Sequence, residues 1–160
     1  MTAWPDPVER VTAALRAAGA EARVEELAEP TPTAADAARV VGCELAQIVK
    51  SLVFVCDGAF VLALVPGDAR ADDGLIAAAV PARHVRIARA AEVVEATGFE
   101  PGGVAPFPHR QVARVLADRS LLVHGEVWIG AGTDLHMAAI PPLELLRVSG
   151  AAPVDLVSRG

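Results

Sequence analysis

The sequence predicts an α+β fold, and three observations carry the prediction. Two strand-like apolar runs, Ser51 to Cys56 and Ala59 to Val65, meet at Asp57-Gly58. Asp-Gly between such runs favours a two-residue type I′ hairpin, because both central residues need positive φ. Segments with helical periodicity stand before and after this pair. No internal repeat, low-complexity tract or linker interrupts the 160 residues, so one domain over residues 1–160 is expected. A chain of this length buries roughly 70% of its unfolded surface without staples.

In chain order, Val8, Val11, Leu15 and Ala18 recur at helical spacing after Pro7, with Gly19 as the stop. Ala22 to Leu27 reads as a short strand. Thr33 caps a helix through Val41, where Asp36 in the first turn complements the helix dipole. Gly42 breaks that helix, and Glu44 to Val49 is expected to form a short helical turn. The hairpin strands are apolar on both faces, which predicts a central position covered on each side. Pro66-Gly67-Asp68 ends the hairpin. Asp72 to Ala79 and Ala90 to Ala96 read as helices, with a short strand, His84 to Ile87, between them. Gly98 to His109 holds three prolines among its glycines, and this spacing predicts an ordered loop. Val112 to Leu116, Leu121 to Val123, Glu126 to Ile129 and His136 to Ile140 read as strands. Gly130-Ala131-Gly132 is a turn, and Pro142 opens a helix through Arg147.

Composition narrows the function classes. The net charge is −6 with a pI near 5.1. That argues against gripping long stretches of nucleic-acid backbone, yet it leaves room for holding a nucleic-acid end in a small pocket. Arginines cluster at Arg83, Arg86 and Arg89 and at Arg110, Arg114 and Arg119, and such clusters are commonly solvated faces. No run of about 18 uncharged apolar residues appears, so no membrane span is predicted. The first residues lack the basic and apolar regions of a signal peptide. Two cysteines, Cys43 and Cys56, form neither a CxxC pair nor a disulfide framework, and a reducing cytoplasmic setting is expected.

Candidate chemistry begins with Lys50, the one lysine against thirteen arginines. A lysine amine is a compact donor of three hydrogen bonds, suited to a phosphate or a carboxylate. At the mouth of a strand it is held by a rigid element while its head can reach a ligand; the competing role is to solubilise a strand end. The four histidines, His84, His109, His124 and His136, show no HExxH, HxxxH or Cys/His pairing, so no metal site is predicted. There is no GxSxG elbow, Walker loop or GxGxxG. Gly102 to Pro106 reads either as an ordinary structural turn or as a loop whose glycines let a ligand approach main-chain amides that can stabilise an oxyanion.

Taken in order, the Lys50-Ser51-Leu52-Val53-Phe54 junction, Gly67-Asp68, Thr97-Gly98-Phe99 and Gly102-Gly103-Val104-Ala105-Pro106 resemble the YbaK/prolyl-tRNA synthetase-associated editing domain family, in its free-standing branch. The likeness spans about Val8 to Leu156. It implies a mixed, barrel-like central β-sheet with surrounding helices. It also implies a hydrolase of mischarged aminoacyl-tRNA, usually tRNA for proline carrying a small non-cognate amino acid, with no cofactor and no metal. By the same resemblance Lys50 holds the 3′-terminal nucleotide through its phosphate. Gly102, Gly103, Val104, Ala105 and Pro106 match the loop that holds the aminoacyl carbonyl and terminal ribose, and a ribose hydroxyl helps to activate water. His136 is a looser match to a functional histidine of synthetase-embedded relatives, with Asp134 as an alternative polar group. His109, just past the loop, is a further candidate. Partners implied are the acceptor end of aminoacyl-tRNA and prolyl-tRNA synthetase. A non-catalytic module that binds aminoacyl-tRNA or a synthetase is the alternative reading.

Overall fold

The computed structural model describes residues 3–158. Its elements are α1 (Asp6–Ala17), β1 (Arg23–Glu26), α2 (Ala34–Val41), β2 (Val49–Cys56), β3 (Ala59–Pro66), α3 (Asp73–Ala79), β4 (Val85–Ile87), α4 (Ala90–Thr97), β5 (Val112–Asp118), β6 (Val127–Gly130), β7 (His136–Ile140), α5 (Pro142–Ser149) and β8 (Ala152–Val154). The α+β class stands. The strands divide between two sheets rather than one: a five-stranded sheet of order β4-β2-β3-β5-β8, and a three-stranded antiparallel sheet of order β1-β7-β6. A single parallel bridge, Ile48 to Trp128, ties the start of β2 to β6.

The hairpin forms as its residues dictate. Asp57 has φ 48° and Gly58 φ 85°, and pairing runs in register from Cys56–Ala59 to Val49–Pro66. Asp57 is also pinned from outside, its carboxylate accepting the N–H groups of Arg83 and His84 at 2.8–3.1 Å. Those bonds hold its pKa below the ordinary carboxylate value. Side chains alternate across the strands. Val53, Leu62 and Leu64 join one apolar cluster with Phe99, Ile129 and Ile140, while Phe54, Val61 and Val65 join another with Ile76 and Leu156. The hairpin is therefore covered on both faces, as its apolar character predicts.

Helix ends follow the chemistry of caps. Thr33 Oγ1 accepts the Asp36 N–H at 3.1 Å, and Gly42 closes α2 with φ 75°. Asp72 caps α3 by accepting the Leu75 N–H. Among the described residues no helix is long and apolar enough to cross a membrane.

The structure differs from the sequence reading at several elements. The segment Leu121 to Val123 is a 3-10 helix (Arg119–Val123), not a strand. Its start is fixed by Asp118, whose carboxylate accepts both the amide and the hydroxyl of Ser120. Glu44 to Val49 contributes only a 3-10 turn, Leu45–Gln47, and β2 begins at Val49, which places Lys50 inside the strand rather than at its mouth. Helix α5 runs two residues past Arg147, to Ser149. Finally, β8 pairs in parallel with β5 at the sheet edge, where Pro153 is tolerated because no further strand needs its N–H.

Candidate functional site

The outer edge of β2 is paired at its two ends and open in the middle. Strand β4 pairs with it at Phe54 to Cys56, and β6 touches it only through Ile48. Beside this gap lies a cavity of about 400 Å³, a volume in the range of small-ligand sites. Lys50, Ser51 and Leu52 form one wall, Thr31 to Ala34 at the start of α2 another, and Gly102 and Val104 a third, with Met137 behind. Residues separated by some fifty positions in sequence thus meet at one opening.

Gly102 to Pro106 takes its shape from what lies beneath it. Gly103 is buried, and an added Cβ would stand 2.7 Å from Gly132 O and from Thr133 Cα. A Cβ on Gly130 would collide with the carbonyl oxygen of Val104. The loop therefore lies directly on the Gly130-Ala131-Gly132 turn, with Gly132 N–H donating to Gly103 O at 3.0 Å. That triplet matches no phosphate-binding motif, and its glycines make close backbone approach possible. Ala105 and Pro106 are buried, Ala105 within the main apolar cluster. The amide of Gly103 is committed to Glu100 O at 3.0 Å. Those of Gly102 and Val104, the two loop residues on the cavity, make no hydrogen bond among the described residues.

Lys50 is half-buried, and its Nζ donates to Ala69 O at 2.5 Å. Its pKa is pushed below the ordinary lysine value, first by desolvation and then by Arg70, with Asp68 opposing. One donor of three is spent on Ala69, so the ammonium is anchored with capacity left for a ligand.

The remaining candidates lie elsewhere. His136 is buried on β7, its Nδ1 2.6 Å from Thr133 Oγ1 and its ring edge-on to Trp4 at 5.1 Å between centroids. Its neighbour Met137 lines the cavity, and alternation along the strand turns His136 to the opposite face. Asp134 is exposed, and its main-chain carbonyl accepts the Thr31 N–H at 2.9 Å. His109 lines a separate cleft with Arg114 and Ser149. Among the described residues no three His, Cys, Asp or Glu side chains are grouped to hold a metal. Of the arginine clusters, Arg86 and Arg89 are engaged by Glu92 at 2.8 and 3.6 Å on an exposed face. Sequence reasoning missed Ser51, Thr31, Thr33 and Met137 as cavity residues. The first three sit beside features it did identify, whereas Met137 carries no local signal.

The α+β frame thus opens a cavity between a strand-borne lysine and a glycine-rich loop. The chain belongs to the aminoacyl-tRNA editing domain family, whose sequence profile matches residues 28–148. This agrees with the resemblance read from the motifs. The chain is 35% identical over 138 residues to the proline–tRNA ligase of Xanthomonas oryzae pv. oryzae (strain MAFF 311018), covering 83% of this chain and 24% of that protein. It is 34% identical over 124 residues to the proline–tRNA ligase of Bacillus licheniformis, covering 74% of this chain and 22% of that protein. The chain thus spans about a quarter of the length of these relatives. Among solved structures, a candidate trans-editing enzyme for prolyl tRNA synthetase superposes with a TM-score of 0.91 at 39% identity, covering 98% of this chain and all of the other. A hypothetical protein superposes with a TM-score of 0.87 at 32% identity, covering 93% and 99%.

Proposed function

We propose that this chain is a trans-acting aminoacyl-tRNA deacylase that hydrolyses the ester of mischarged tRNA, with tRNA for proline carrying a small non-cognate amino acid as its substrate. The observation that carries the reading is the joining of Lys50, Gly102 and Val104 on one cavity in a chain of the editing family. In this mechanism the Lys50 ammonium takes the terminal phosphate. The uncommitted amides of Gly102 and Val104 face the ester carbonyl, where negative charge develops as water adds. A hydroxyl of the terminal ribose helps to orient that water. The ester C–O bond then breaks, releasing the amino acid and a free tRNA 3′ end. The chain's own contribution is positioning and charge stabilisation, in keeping with a cavity that no acidic or histidine side chain lines among the described residues.

The acidic net charge suits such a role, because capture of the acylated end alone needs only a few placed cations. Weak, salt-sensitive affinity for tRNA follows, and prolyl-tRNA synthetase is the partner that would supply tRNA identity. The test is deacylation of a panel of misacylated tRNAs, with and without the synthetase, by the wild type and by Lys50→Ala. Lys50→Ala is expected to abolish turnover while keeping a cooperative thermal transition. Unchanged turnover refutes the role of Lys50, and tight binding without turnover in the wild type indicates a binding module instead.

A further inference from the structure

Three hydroxyl-bearing residues line the cavity, and the hydroxyls of two are already spent. Thr31 Oγ1 donates to Asp134 O at 3.3 Å, and Thr33 Oγ1 donates to Asp36 Oδ2 at 2.7 Å while accepting the Asp36 N–H. Ser51 Oγ is withdrawn from water and has no hydrogen-bond partner among the described residues. An unpartnered buried hydroxyl is a cost that alanine at the same strand position would avoid. Its main chain is open as well. Val53 O accepts the Ala88 N–H and Asp57 N–H donates to His84 O, so odd-numbered residues here turn their backbone groups to the outer edge of β2. Ser51 shares that parity; it pairs with Leu64 of β3 on its inner side, and on the outer edge, between the Ile48–Trp128 bridge and β4, it meets no strand among the described residues.

Resting on the deacylase reading above, we infer that Ser51 receives the free α-amine of the aminoacyl group, through its hydroxyl and its outward-facing carbonyl. The argument is one of matching donors to acceptors. Lys50 and the loop amides are donors, suited to phosphate and ester oxygens. The α-amine is the substrate group that needs acceptors, and among the described residues no Asp or Glu lines the cavity. The hydroxyl and carbonyl of Ser51 meet that need. A single χ1 rotation between staggered wells redirects the hydroxyl to a ligand. Ser51 thereby becomes a positioning residue that orients the acyl group by its amine and disfavours substrates whose amine is blocked.

The probes are 3′-alanylamino-3′-deoxyadenosine, a non-hydrolysable mimic of the acylated end, and its N-acetyl derivative, titrated calorimetrically against the wild type, Ser51→Ala and Ser51→Thr. Deacylation of alanyl-tRNA and N-acetylalanyl-tRNA is measured in parallel. The wild type is expected to bind the free-amine probe at least tenfold more tightly than the acetylated one. Ser51→Ala should lose about tenfold on the free amine and nothing on the acetylated probe, with an unchanged or raised melting temperature. Ser51→Thr, which keeps the hydroxyl, should recover most of the affinity. Equal loss on both probes, no loss on either, or no binding by the wild type overturns the inference. Ser51-dependent binding of the free amine without hydrolysis of any aminoacyl-tRNA supports Ser51 and sinks the deacylase reading. Hydrolysis that is indifferent to Ser51→Ala does the reverse.

Discussion

Replacing Gly103 with alanine tests whether the loop is held to tight tolerance by the turn beneath it. The φ angle of Gly103 is not in the left-handed region, so the effect of a methyl group is purely steric. An ideal Cβ would stand 2.7 Å from Gly132 O and Thr133 Cα, where ordinary contact begins at 3.4 Å, an overlap of about 0.7 Å. The colliding atoms are main chain, so no flexible side-chain end can swing away. Overpacking of this kind costs about 1–3 kcal/mol, less than the ~5–15 kcal/mol stability of a typical domain, and the protein should stay folded. The loop must move by several tenths of an ångström, carrying the amides of Gly102 and Val104 with it. Since a misplacement of about 1 Å can cost roughly a hundredfold in rate, deacylation per folded molecule should fall between about tenfold and a hundredfold. Gly58→Ala is the control: Gly58 has φ 85° with open space around it, at a hairpin tip outside the cavity wall. It should lose about 1–2 kcal/mol to strain and keep its rate. Urea unfolding and single-turnover deacylation on both variants decide the matter. A Gly103→Ala protein with wild-type turnover, or equal rate losses in the two variants, refutes the reasoning.

Asp118→Ala should destabilise the fold by about 2–4 kcal/mol, because Asp118 is 1% exposed and accepts the Leu156 N–H at 2.8 Å as well as both polar groups of Ser120. Chemical denaturation measures this, and a loss below about 1 kcal/mol contradicts it. Glu92 has its pKa lowered from 4.5 to about 2 by the Arg86 side chain first and the Arg89 N–H next. Its folded-state value lies below its unfolded one, so its contribution is complete above about pH 4.5 and fades as pH falls toward 2. Glu92→Gln should flatten stability against pH across that window, and an unchanged slope there counts against the ion pair.

Local signals in the sequence located the hairpin, the capped helix α2 and the loop after α4, because each is written by residues a few positions apart. Asp57-Gly58, Thr33 with Asp36, and the glycines and prolines of 98–109 act on their own neighbourhoods. What local patterns could not supply were facts of tertiary packing. Leu121 to Val123 has strand-like residues, but the buried carboxylate of Asp118 winds it into a 3-10 turn. Nothing near His136 signals that Trp4 and Thr133 enclose it, or that alternation along β7 gives the cavity to Met137. Gly130 to Gly132 read from the sequence as a turn and no more, and in the fold they are the bed on which the Gly102–Pro106 loop lies.

The cavity itself follows from a strand that is only partly partnered. A β2 paired along its whole outer edge would satisfy every main-chain group and leave no room beside Lys50 and Ser51. Here β6 is turned away after one bridge into the second sheet, Gln47 securing the junction by donating to Glu126 O at 3.1 Å, and β4 arrives only at Phe54. The opening is sealed from below by apolar packing of Ala37, Ile48 and Met137, so it is a rigid gap rather than a frayed edge. Rigid elements hold a ligand end more exactingly than a mobile loop does. The division into two sheets is therefore the structural reason that Lys50, Gly102 and Val104 come to line one cavity.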